Sequence, residues 1–280
     1  MKKLKELHKN RLESLISEKI NASTMPTLAN ERASLINKIV WAVVEEYILN
    51  NSKSFTPEEK LIVRYCGVVH NIQQRHILRP FEYMDFSRRI GELWQKFCAS
   101  AWDFTQRKEL QIYIPPNFEE IKVEVLKNLS QVLSADVFTR VNALSTLIPE
   151  INLKEDMTYK INADLKIVDF KSGFGSNEKG NTHRLLTVAN AYKFIDPNAK
   201  CYLLVRQTEN NNYLQVLANS NLWDVKVNKD AYNFMAIETG VAINDVVQVC
   251  NDILEDVSDA VRKDLIKSVN GLDKYTNWGY

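Results

Sequence analysis

Only four cysteines occur in the 280 residues, Cys66, Cys98, Cys201 and Cys250, and they stand far apart with no CxxC pair. That spacing excludes a zinc ribbon and a disulfide framework. Long apolar runs are also missing: none approaches the roughly 20 residues a membrane-spanning helix requires. The start MKKLKELHKNRLESL is basic but carries no apolar core and no small-residue cleavage site, so it does not read as a secretory signal. These absences lead to the expectation of a reduced, cytoplasmic protein with no membrane partner. No G-x-x-x-x-G-K-[ST] run and no dinucleotide fingerprint occurs, so no nucleotide cofactor is expected. Internal repeats and low-complexity linkers are absent as well.

An excess of one charge is missing too. Lys and Arg number 36 against 35 Asp and Glu, for a net charge of +1, which excludes a polybasic nucleic-acid coat. The balance is uneven along the chain. Residues 1–110 hold 18 basic and 13 acidic side chains, residues 111–240 hold 14 and 15, and residues 241–280 hold 4 and 7. The N-terminal part is therefore the electropositive one, either through the solvent faces of amphipathic helices or through a face that meets an anion.

What is present reads first as helices. Leu35, Ile36, Ile39, Val40, Val43, Val44 and Ile48 recur at helical spacing, and Thr56 with Glu59 forms a capping-box pattern. Asp85 is placed as the N-cap of a helix through Ile90, Leu93, Trp94 and Phe97. Helical spacing resumes from about Phe118 to Leu147, with a break near Ser134. Beyond Pro149, segments 157–171, 200–206, 213–218 and 222–228 read as strands, the first long enough for two. A helix over about 183–194 separates the first from the second, and helical spacing returns from 243 to 269. The expected class is α/β (α+β mixed): a central mixed sheet flanked by helices. The expected division is a mainly helical subdomain over 1–110, whose last helix (about 86–104) packs on the core, and a core with a C-terminal helix over 111–280.

One constellation carries chemistry. Asp169 and Lys171 lie two apart on an expected strand and so project from one face. A carboxylate there can bind a hard divalent cation, while the ammonium positions an attacking water and offsets developing charge. The bare spacing recurs at Glu58/Lys60, Glu120/Lys122, Asp164/Lys166 and Asp224/Lys226. Context separates them, because only Asp169 lies in a β-branched run that ends in a glycine-containing loop. The ordinary alternative is an exposed ion pair worth about 0 to 1 kcal/mol.

The string IVDFKSG, followed by a polar loop, a helix and the strand AKCYLLVRQ, resembles the catalytic core of the PD-(D/E)XK nuclease superfamily, to which most type II restriction endonucleases belong. The resemblance covers roughly residues 85–206 and is most specific over 164–173. It implies a restriction-endonuclease-like fold and a Mg²⁺-dependent nuclease in which Asp169 and Lys171 match the second acid and the lysine of the motif. The first acid is open. Asp164 has the better local match and ranks marginally first, although an odd offset on one strand turns it to the opposite face unless a bulge intervenes. Asp156, thirteen residues before Asp169, suits a hairpin better, and Glu155 is a third choice. The stretch FSRRIGELWQKF resembles the helix that brings a glutamate to the metal in many such enzymes, and Glu92 is the match. Its ordinary reading is a solvated partner of Lys96, and Arg88 and Arg89 beside it are candidates for phosphate.

The loop after Lys171 holds Gly173 and Gly175, which allow close approach to a phosphate. Ser176, Asn177, Lys179, Asn181, His183 and Arg184 supply donors for DNA phosphates or base edges. Trp94, Phe97, Trp102 and Phe104 are read as core. The resulting expectation is a type II restriction endonuclease that cuts double-stranded DNA with Mg²⁺, commonly as a homodimer. A repair or recombination nuclease of the same superfamily and a non-catalytic helical DNA-binding protein are the alternatives.

Overall fold

The computed structural model describes residues 1–147, 150, 152–173, 179–207, 212–269 and 271–279. Its elements in chain order are α1 (Lys2–Asn21), α2 (Ala29–Asn50), α3 (Pro57–Leu78), α4 (Tyr83–Asp103), β1 (Leu110–Ile112), α5 (Phe118–Val132), α6 (Ala135–Ser145), β2 (Met157–Ile161), β3 (Asp164–Lys171), α7 (Lys179–Ile195), β4 (Lys200–Val205), α8 (Asn212–Asn219), β5 (Trp223–Val227), α9 (Lys229–Thr239), α10 (Ile243–Val247), α11 (Ile253–Asp256), α12 (Asp259–Ser268) and α13 (Asp273–Thr276). No helix among the described residues is long and apolar enough to cross a membrane.

The chain forms two units, one of Met1–Arg107 with Val227–Tyr280 and one of Lys108–Lys226. The expected boundary after residue 110 is close to the first crossing. The expected assignment of the C-terminal segment to the core is corrected, because that segment belongs to the helical unit.

In the helical unit α3 is the central element and packs against α1, α2 and α4. Its start is the expected capping box, with the Thr56 side chain accepting from the Glu59 amide and Glu59 accepting from the Thr56 amide. Residues 61–73 of α3 are all buried, so no solvent face remains and each polar side chain needs a partner. Arg64 donates to Glu45, His70 pairs with the Lys9 carbonyl, Asn71 donates to Asn37, and Gln73 accepts from the Ser258 amide. At Gly67 the two helices approach closely: a Cβ there would stand 2.7 Å from Val44 Cγ2. Trp94, Phe97 and Trp102 of α4 are buried, as expected, and α4 packs on α3, α9 and α13 within its own unit. Asp85 is not the cap. The helix begins at Tyr83, and Asp85 lies in its first turn, where a carboxylate favours the dipole.

The second unit contains a five-stranded sheet in the order β1-β2-β3-β4-β5. β1, β2 and β3 form an antiparallel meander, and β4 runs parallel to β3 after the α7 crossover. The break near Ser134 separates α5 from α6, as expected. Segment 213–218 is a correction: it is the helix α8, with Leu214 and Leu217 buried at an i, i+3 spacing that short apolar strings share with strands. The C-terminal 243–269 stretch is three short helices rather than one, with Asp252 capping the second.

Candidate active site

β2 and β3 are joined by a two-residue turn, Asn162–Ala163, with Ile161 paired to Asp164. Asn162 has φ +56°, a left-handed conformation that asparagine tolerates better than most residues. From that turn the register runs without a bulge to Met157 opposite Val168. The residue just before β2, Asp156, therefore faces Asp169 immediately beyond the end of the ladder. Its carboxylate replaces the missing backbone partner and accepts a 2.8 Å hydrogen bond from the Phe170 amide.

The same register decides between the two candidate first acids. Asp164 starts β3 five residues from Asp169, roughly 16 Å along an uninterrupted strand and on its opposite face. It is exposed and 3.7 Å from Lys200. The higher ranking of Asp164 is thus corrected, since no bulge turns it toward Asp169. Asp156 and the third choice, Glu155, are the acids brought to Asp169.

Asp169 is 2 % exposed, on the β3 face that α7 covers. Lys171 Nζ lies 3.3 Å from Asp169 Oδ1 and 3.2 Å from Oδ2. Arg184 of α7 donates to Asp169 Oδ2 at 3.3 Å, to both oxygens of buried Glu155, and to Asn181 Oδ1. The guanidinium expected to meet DNA is engaged with acids, in keeping with its place about one helical turn inside α7. Asn181 supports Arg184 in the same way. Lys179 and His183 are exposed on α7. Ser176, Asn177 and Gly175 lie outside the described residues, and Gly173 is in the coil after β3.

Three carboxylates and two cations thus converge at the carboxyl end of β3. Burial pushes the Glu155 carboxyl up, against the pull of Arg184. Asp156 is exposed as a residue, yet desolvation by the protein atoms around its carboxyl comes first among the causes that raise its pKa to about 7, followed by the charge of Asp169 and the hydrogen bond the two acids share. No group of three or more His, Cys, Asp and Glu side chains among the described residues is arranged to hold a metal ion.

Arg206, at the end of β4, was not anticipated. It is 2 % exposed, its amide donates to the Lys171 carbonyl at 2.9 Å, and its guanidinium donates to Ser172 Oγ at 3.1 Å. It braces the backbone on which Lys171 sits. Its position directly after the apolar run of β4 is the only sign of it in the sequence. Glu92 belongs to the helical unit, where it pairs with Arg89 at 3.1 Å and with Arg88 at 4.0 Å. The expected partner Lys96 instead lies 3.7 Å above the Trp41 ring. The acid cluster described here is built entirely from residues of the second unit.

Comparison of the chain with known family models, curated proteins and solved structures finds no match.

Proposed function

We propose that this protein is a Mg²⁺-dependent nuclease, a type II restriction endonuclease that hydrolyses both strands of duplex DNA as a homodimer. The observation that carries the reading is the opposition of Asp156 and Asp169, with Lys171 within 3.3 Å of Asp169. Placing two acids against each other opposes folding, and such arrangements cluster where a protein performs chemistry. The element order supports it: the D-x-K strand β3 is followed by the helix α7 and the strand β4, the order on which the resemblance to PD-(D/E)XK nucleases rests. Ligands of open α/β sheets bind beyond the carboxyl ends of parallel strands, where this cluster lies.

The donor set fits a Mg²⁺ ion. Mg²⁺ takes hard oxygen ligands and is commonly held by one or two carboxylates together with waters and substrate phosphate oxygens. Asp156 and Asp169 would hold it, and the ion would polarise a phosphoryl oxygen and lower the pKa of a bound water. The chain's own residues do the rest. Lys171 supplies a fixed positive charge beside the scissile phosphate and a donor that orients the attacking water. Arg184 holds Asp169 and Glu155 in place, and Arg206 fixes the strand end.

Digestion of a plasmid with Mg²⁺ and with EDTA tests the reading. Discrete bands with Mg²⁺, lost in Lys171→Ala, are expected. Progressive shortening or junction-specific cuts would place the protein among repair or recombination nucleases. No cleavage on varied DNA leaves only a non-catalytic protein, and equal cleavage by Lys171→Ala removes this site from the reaction and overturns the reading.

A further inference from the structure

A second concave site lies wholly within the helical unit, between α2, α3 and α4. It encloses about 530 Å³ and is lined by four arginines, Arg75, Arg79, Arg88 and Arg89, against two acids, Asp85 and Glu92. Asparagine and serine side chains, among them Asn30, Ser34 and Asn37, complete the polar wall.

The arginines are not equivalent. Arg89 is spent on structure: it donates to Asn71 and Asn37, on the neighbouring α3 and α2, and to Glu92. Arg88 is exposed and lies 3.8 Å from Asp85 and 4.0 Å from Glu92. Arg75 places one donor on the Arg79 carbonyl and its guanidinium 5.2 Å from the centre of the Phe81 ring. Neither Arg75 nor Arg79 has a carboxylate within 4.0 Å among the described residues. Burial holds the Arg75 pKa down, the charge of Arg79 adds to that, Asp85 pulls the other way, and Arg89 lowers it further. Four arginines against two acids leave the wall with an excess of positive charge, and both carboxylates lie against Arg88 or Arg89 rather than against Arg75 or Arg79.

Helix geometry adds to the field. The first turns of α2 and α4 contribute Asn30 and Asp85 to the wall, and neither helix has a side-chain cap. The guanidinium groups of Arg75 and Arg79, with no carboxylate against them among the described residues, make a site for an anion with several oxygens, because arginine pairs with phosphate through parallel N–H···O bonds.

We propose that this pocket binds a phosphate group through Arg75 and Arg79, with Arg88 at its mouth. The ligand is either a free phosphorylated small molecule or a nucleic-acid strand contributing a backbone phosphate. This site is separate from the acid cluster of the other unit and needs no metal, so it stands or falls independently of the nuclease reading.

Titration calorimetry on the full chain in EDTA tests it, with inorganic phosphate, a 5′-phosphorylated deoxynucleotide and a short DNA duplex as probes. Arg79→Gln, at an exposed position beyond the end of α3, is the first variant; Arg75→Lys, which keeps the charge but loses the fork, is the second. Saturable binding of phosphate or the nucleotide, weakened at least roughly tenfold by Arg79→Gln and less by Arg75→Lys, supports a free ligand. Binding of the duplex alone, with the salt dependence reduced by about one unit of slope per arginine removed, supports a backbone phosphate. If no probe binds up to about 10 mM, or if folded Arg79→Gln and Arg75→Lys bind every probe as the natural chain does, the proposal is overturned.

Discussion

Two buried aspartates face opposite circumstances in the two units. Asp256, in the helical unit, is 7 % exposed and surrounded by donors: Lys5 at 2.7 Å, Lys9 at 3.8 Å and the Tyr65 hydroxyl at 2.7 Å. Burial and the neighbouring negative charge push the Tyr65 pKa well up, so its hydroxyl keeps its proton and donates. Asp169 also has two cationic neighbours, Lys171 and Arg184, but a second acid, Asp156, is set against it. The first arrangement ties α1 and α3 to the C-terminal segment and is complete as it stands. The second holds like charges together at a strand end, which stability alone does not favour. A buried acid is therefore uninformative about function until its partners are known; the sign of the neighbouring charge makes the distinction.

The comparison is broken most severely at Asp169. Asp169→Asn is expected to reduce Mg²⁺-dependent cleavage by at least about 100-fold while the chain stays folded, and Asp256→Asn to leave the cleavage of the folded protein unchanged. Plasmid digestion with far-ultraviolet circular dichroism measures both. Equal loss of cleavage in the two variants would erase the distinction.

Stability should show the reverse order. Asp256→Asn strands the Lys5 ammonium, whose side chain is 14 % exposed, and should lower the unfolding free energy by about 3 kcal/mol in urea. Asp156→Asn removes the opposing charge and keeps an oxygen for the Phe170 amide, so it should raise the unfolding free energy, by less than about 1 kcal/mol at this exposed position, while cleavage falls. A destabilised Asp156→Asn would show that the acid pair contributes to folding.

The smallest effect concerns protons in the helical unit. His70 bonds the Lys9 carbonyl through Nε2 at 2.9 Å, and its buried Nδ1 has no partner among the described residues. His8 likewise pairs with the Tyr47 hydroxyl through Nδ1, and its buried Nε2 has no partner among the described residues. Burial holds both imidazoles below the ordinary histidine value, against the pull of Glu13 on His70 and of Glu59 on His8. Since the unfolded chain binds those protons more readily, this stabilisation is fully present above about pH 6.5 and is lost as the pH falls toward the folded values. Unfolding free energies from urea titrations at pH 7 and pH 5 should differ by up to about 1 kcal/mol more for the natural chain than for His70→Gln. An identical pH response in the two proteins would remove His70 from the account.

Much of the local structure was legible. The capping box at Thr56, the helical spacing of α2 and the burial of the α4 aromatics follow from repeats within a few residues, because a helix presents i, i+3 and i+4 on one side. Asp169 and Lys171 were legible together for the same reason, since a strand returns to one face every second residue. Where the spacing is ambiguous the reading failed, as at α8, whose eight residues fit either period.

What the sequence determined by itself was the pair of side chains at the end of β3 and the type of nearly every element around them. Only the tertiary structure decided which acid joins that pair. The left-handed Asn162 turn sets the β2–β3 register, and a shift of one residue would exchange the faces of every side chain on β2. Pairings across long stretches of chain, Arg184 with Glu155 and Lys5 with Asp256, likewise came only from the fold. Periodicity is a property of the backbone over one or two turns, whereas charge neutralisation at a buried acid depends on which distant segment the core brings alongside it.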